Sequence, residues 1–338
     1  MTTFLGTPLS VLDTAAVSEG MGVGEALRGT IDLARKTEQL GYTRFWVAEH
    51  HGSLGIASSA PAVLIAHLAE ATTTIRVGAG GVMLPNHSSL AVAEQFGTLE
   101  ALHPGRIDLG LGRAPGTDRL TAYALRGSEE KLNADDFPEQ LAELLAFFKG
   151  DFPEGHPYRS VTAVPGQGHL PAIWILGSST FGARLAGELG LPFGFAHHFS
   201  AENTMPALAT YRASFRRSAV LAEPYVTIAV SVICGDTDEQ AEWLAGPSLL
   251  WFARLRTGRS GRMPSPEVAA AHAYTPQEAA LVADRRRGGQ VIGGPDTVRR
   301  RLEELLLRTR ANELMITCRV FDHADRVRTY EALASLAC

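Results

Sequence analysis

Short apolar runs that break into glycine or ionisable residues recur along this chain, and a stretch with helical spacing separates each from the next. Phe45-Trp46-Val47-Ala48 ends in Glu49-His50-His51, and Ile75-Arg76-Val77 runs into Gly78-Ala79-Gly80-Gly81. Arg106-Ile107-Asp108-Leu109 runs into Gly110-Leu111-Gly112-Arg113. Strand and helix in alternation make a parallel sheet joined by crossover helices. Strands of such a sheet are covered on both faces, so their bodies are apolar and their chemistry gathers where they end.

Eight strands are expected, at residues 9–13, 45–48, from 75, 106–111, 172–176, 193–196, 226–233 and 313–318. Helices are expected at 25–41, 61–72 with a serine cap near Ser58, 88–102, 133–149, 181–189, 202–221 and 296–308. Eight is the strand count of a (β/α)8 TIM barrel, and residues 1–338 read as a single α/β domain of that kind. Between the seventh strand and the last of these helices lie residues 235–294, far beyond an ordinary barrel connection and a candidate lid. Helical patches at 238–255 and 275–286 flank a polar stretch, Thr257 to Arg262, with little apolar material to fix it.

With 45% hydrophobic and 20% charged residues, a chain of 338 can bury a large core. Its formal charge of −5 is spread along the sequence, which argues against nucleic acid and anionic lipid as partners. No basic leader and no membrane-length apolar run is present, so a signal peptide and a membrane span are not expected. Cys234, Cys318 and Cys338 are widely spaced and read as reduced thiols of a cytoplasmic protein.

His50 and His51 are the strongest chemical candidates. Adjacent strand residues point to opposite faces, so the two do not readily share a metal, and none is expected. Glu49, Asp108 and Asp13 interrupt apolar strands and need partners. A buried pair with Arg106 or Arg113 and a role in catalysis both satisfy that need. Gly78, Gly80 and Gly81 mark a bulge or a close approach of a flat ligand. Gly110 to Gly116 is not a dinucleotide fingerprint, since its glycine spacing is wrong and Pro115 opposes a helix. Gly177-Ser178-Ser179-Thr180 joins a strand to a helix, where a phosphate or a plain cap fits, and Arg113 could balance the charge.

Ala48 to His51, Val77 to Pro85, Ala93-Glu94-Gln95-Phe96 and Gly105 to Arg113, in that order, resemble the bacterial luciferase-like flavin monooxygenases. The similarity is densest over residues 8–127 and resumes at 174–192 and 291–295. It implies a barrel that binds reduced FMN at the C-terminal strand ends, forms a C4a-hydroperoxide with O2 and oxidises a small organic substrate. It implies His50 as catalytic residue with His51 beside it, and a cis peptide under the flavin ring near Ala79, Gly80 and Gly81. It also implies phosphate contacts from Arg113, Ser178, Ser179 and Thr180. Where the luciferases have a glutamate in that turn, this chain has Ser178. A separate flavin reductase is expected to supply reduced flavin, and the alanine-rich helix 61–72 to pair two subunits as a homodimer. The alternatives are a deazaflavin (coenzyme F420) hydride-transfer enzyme on the same barrel and a non-catalytic flavin-binding protein.

Overall fold

The computed structural model describes residues 1–128 and 136–337. The expected helix start at Asn133 and the third cysteine, Cys338, lie outside the described residues. A two-residue strand, β1 (Thr3–Phe4), folds back antiparallel on β2 (Thr7–Asp13). From β2 the barrel proceeds through β3 (Arg44–Val47), β4 (Arg76–Met83), β5 (Ile107–Gly112), β6 (Ala172–Gly177), β7 (Phe193–Phe195) and β8 (Val226–Cys234). A further strand, β9 (Gln290–Gly293), pairs alongside the end of β8. The eighth barrel strand, β10 (Glu313–Thr317), lies between β8 and β2, and the parallel (β/α)8 TIM barrel is closed.

The helices are α1 (Val23–Gln39), α2 (Pro61–Ala71), α3 (Ser89–Leu102), α4 (Arg119–Arg126), α5 (Phe137–Lys149), α6 (Thr180–Leu189), α7 (Thr204–Ser214), α8 (Asp238–Arg256), α9 (Pro266–Ala271), α10 (Pro276–Arg287), α11 (Pro295–Thr309) and α12 (His323–Leu336). In α1, Ala26, Thr30, Leu33, Ala34 and Thr37 form the buried stripe that a 3.6-residue period requires, and the Glu25 carboxylate accepts from Gly22 N–H at 3.4 Å. None of the described helices is long and apolar enough to cross a membrane.

Several expectations are corrected. Beyond the helices expected, α12 follows the eighth barrel strand. The helix expected to reach residue 221 stops at Ser214, because Phe215 turns extended and Arg216 N–H bonds to Gly187 O on α6 at 2.9 Å. Ser58 does not cap α2; its hydroxyl donates to Ala48 O, and Ala60 stands at the cap with Pro61 in the first turn. The stretch 257–262 is pinned by hydrogen bonds where apolar material is scarce. Trp251 Nε1 donates to Gly261 O at 2.8 Å, Arg262 donates to Met21 O at 2.9 Å, and the next residue, Met263, is fully buried in a bridge with Ser18.

The N-terminal half of the barrel interior is a charged and aromatic plug. Arg44 sits 2.9 Å from both Asp108 and Glu313, Arg76 reaches Asp108 at 2.6 Å, and Tyr225 donates to Glu313 at 2.8 Å. Trp46 donates its indole N–H to Asp108 and meets Trp174 edge-on at 5.1 Å, while Arg44 stacks on Trp174. The partners of Asp108 are thus Arg44 and Arg76, not Arg106 or Arg113. Arg106 precedes β5 and donates instead to the carbonyls of Ala69, Thr72 and Ile75. Asp13 is buried against Arg326 at 3.1 Å. Bulky interior side chains need room beside them. A Cβ on Gly78 would strike the backbone carbonyl and Cβ of Asp108, and one on Gly80 would meet Leu12 and Trp46.

Candidate active site

Above the plug, at the C-terminal ends of the strands, opens a cavity of about 620 Å³, a size typical of cofactor and small-molecule sites. Leu12, Trp46, Leu176, Ala229 and Met315 line it together with Gly80 and Gly81, whose peptide bond is cis and sits at a register shift between β4 and β5.

The segment after β3 is held tightly. Ala48 N–H bonds to Asp13 O at 3.0 Å, and His50 N–H bonds to Ser58 O at 2.9 Å. His50 faces the cavity with its Nδ1 3.2 Å from Gly116 O. Burial first, and then the positive charge of Arg319, lower its pKa, so the ring is neutral near pH 7. His51 turns the other way, with its Nε2 2.9 Å from Glu49 Oε1, and is not among the cavity's lining residues. Burial would raise the Glu49 carboxyl, but hydrogen bonds from His87, His51 and Met83 N–H outweigh that and hold it below its ordinary value. The acid therefore organises two strand-end loops from behind the cavity.

Arg113, at the end of β5, lays its guanidinium 4.1 Å over the Phe181 ring in the first turn of α6. Ser178 and Ser179 line the same end of the cavity, and the Ser179 hydroxyl caps no helical N–H. Three kinds of anion donor converge there: a guanidinium, hydroxyls and the free amides of α6. Thr180 and Ala79 lie outside the lining; Ala79 is fully buried beneath Gly80.

A statistical model of the family described as luciferase-like monooxygenase matches residues 7–312. The chain belongs to that family. Among curated relatives, it is 51% identical over 98% of its length to the uncharacterized protein YvbT of Bacillus subtilis, of which it covers 96%. It is 44% identical to a luciferase-like monooxygenase of Escherichia coli K12, over 95% of this chain and 94% of the other. An N-acetyl-S-alkylcysteine monooxygenase of B. subtilis is 36% identical, over 96% and 97%. Among solved structures, apo-MsnO8 superimposes with a TM-score of 0.89 at 38% identity over 98% of both chains. The oxygenating constituent of a Pseudomonas putida diketocamphane monooxygenase, in complex with FMN, shares the fold at 0.71 and 18% identity, covering 99% of this chain and 97% of the other. An F420-dependent secondary alcohol dehydrogenase shares it at 0.67 and 15%, over 98% and 99%.

The family's members make this an oxidoreductase fold with flavin- and F420-dependent structural neighbours. Two cavity residues escape a reading of the sequence. His198 follows β7 and Arg319 follows β10, at the same kind of strand end that drew attention to His50. His198 is buried with Nδ1 3.2 Å from Ala229 O, and burial together with Arg319 pushes its pKa down to about 3.

Proposed function

We propose that this protein is an FMN-dependent monooxygenase that takes up reduced flavin from a separate reductase and uses O2 to oxidise a small organic substrate. The observation that carries this reading is the shape of the cavity's donor set. Arg113, Ser178 and Ser179 meet at one end, where a phosphate would sit, and the Gly80–Gly81 backbone lines the cavity among Leu12, Trp46 and Leu176, where a flat ring would rest. The residues fit the group. Bound there, reduced flavin would supply the reaction with oxygen.

The chain's own residues supply the rest. Arg113 and the α6 amides bind and orient, and the apolar walls around Leu12, Leu176 and Met315 exclude water. His50, kept neutral, can accept a proton at the ring nitrogen not facing Gly116 and return it as the substrate is oxidised. Residues 235–294 act as a lid. Removing the polar stretch 257–262 should raise hydrogen peroxide release per reductant consumed, and unchanged coupling would refute that role.

The monooxygenase reading is preferred to hydride transfer because relatives at 36% and 44% identity are named monooxygenases, whereas the F420 enzyme shares only the fold. Anaerobic titration with reduced FMN and with reduced F420, followed by rapid mixing with O2, tests the choice. Tight reduced FMN whose reoxidation passes through a transient absorbing species supports oxygenation. Binding of F420 alone, inert to oxygen, overturns it.

A further inference from the structure

We propose that Arg319 recognises an anionic group, a carboxylate or one of like shape, on the organic substrate, with Arg285 as its positive neighbour. This rests on the reading of the cavity as a chamber shared by flavin and substrate. Its first support is position. Around the barrel, β10 stands four strands from β5 in either direction, so Arg319 enters the cavity diametrically opposite the end of β5 that carries Arg113. A phosphate held by Arg113, Ser178 and Ser179 is on the wrong side to be its counter-ion.

The second support is the missing partner. The Nε atoms of Arg319 and Arg285 are buried and bond to nothing among the described residues. The acid that attracts Arg319 is Asp13, whose carboxylate is already taken by Arg326 and Thr30. Arg285 feels Arg319 and Arg256, both positive, and burial with that repulsion pushes it down to about 10. Half-buried cations whose Nε donors are shielded from solvent and unbonded are costly, and a ligand anion would complete them. Two neighbouring aromatic residues of α8 steer both groups. Arg319 lies 5.6 Å from the Trp251 ring centre and Arg285 4.3 Å from that of Phe252, and a carboxylate matches the planar fork of a guanidinium.

The test compares phenylacetate with its neutral isostere phenylacetamide, titrated anaerobically into protein saturated with reduced FMN. Phenylacetate should bind at least about tenfold more tightly. In Arg319→Gln that ratio should fall to near one, with reduced-FMN affinity unchanged and thermal stability unchanged or raised, since a costly buried charge has gone. Arg319→Lys, keeping the charge but losing the fork, should retain part of the preference. Equal binding of the two probes by the wild type overturns the proposal, as does a preference that survives in both variants. Loss of reduced-FMN affinity in Arg319→Gln would assign the arginine to the cofactor, and a lower Tm would make it structural. If the wild type fails to bind reduced FMN yet still prefers phenylacetate, the flavin reading falls and with it the assignment of this anion to a flavin cosubstrate, while the anion site at Arg319 itself is retained.

Discussion

His50 shows how much one side chain's chemistry depends on its surroundings. Its ring is lowered by burial and by Arg319, so the base form persists at neutral pH and is lost only as the pH falls through a value below the ordinary 6.5. The acid limb of kcat/KM should therefore lie below pH 6.5, and His50→Ala should reduce turnover about a hundredfold with reduced-FMN affinity intact. Undiminished turnover would remove His50 from the chemistry. His198 makes a prediction about stability. The fold holds it neutral with a pKa of about 3, whereas the unfolded ring takes up a proton below about 6.5. The stability present above that pH drains away as the pH falls toward 3, and His198→Gln should flatten the fall of Tm across the same window. A Tm profile as steep as the wild type's would sink that account. That His50, Arg113 and Ser178 line the cavity was legible because each ends an apolar strand. His198 and Arg319 obey the same rule, but a sequence does not say which strand-end side chain turns inward. His51 makes the point in reverse: it is equally conspicuous, yet it faces Glu49.

At the scale of elements, the eight barrel strands were readable because parallel strands are continuous apolar runs, and each was located to within a few residues. The short strands β1 and β9 and the helices α4 and α9 were not, since elements of two to eight residues owe their form to what they pair or pack with and carry little pattern of their own. α12 has fourteen residues, but its buried positions include Arg326 and Thr329, which blur its apolar stripe. Within the barrel, charges that looked like catalytic candidates are structural. Arg44 joins Asp108 on β5 to Glu313 on β10, two strands on opposite sides of the barrel, through its centre. Arg44→Met leaves two buried carboxylates short of a partner and should cost about 3–5 kcal/mol in urea unfolding. A loss below about 1 kcal/mol would show that Arg76 and Tyr225 suffice.

At the scale of the whole molecule, the proposed pairing of two subunits through α2 can be tested. α2 buries Leu64, Ile65 and Leu68 against the sheet and exposes Val63, Ala66 and His67. If that face pairs two subunits, with Ala66 allowing close approach, sedimentation at micromolar concentration should show a dimer that Ala66→Arg converts to monomer. A wild type that sediments as a monomer refutes that pairing. The sixty-residue excursion between β8 and α11 has another property at this scale. Its two ends are clasped together, with β9 laid on the last four residues of β8, Gly235 N–H bonded to Gly293 O at 3.2 Å, and Gly294 N–H to Asp238. A segment that leaves and returns at one spot spans no distance, so its length can vary at small entropic cost to barrel closure. Relatives can exchange what lies between those ends while inheriting the barrel unaltered.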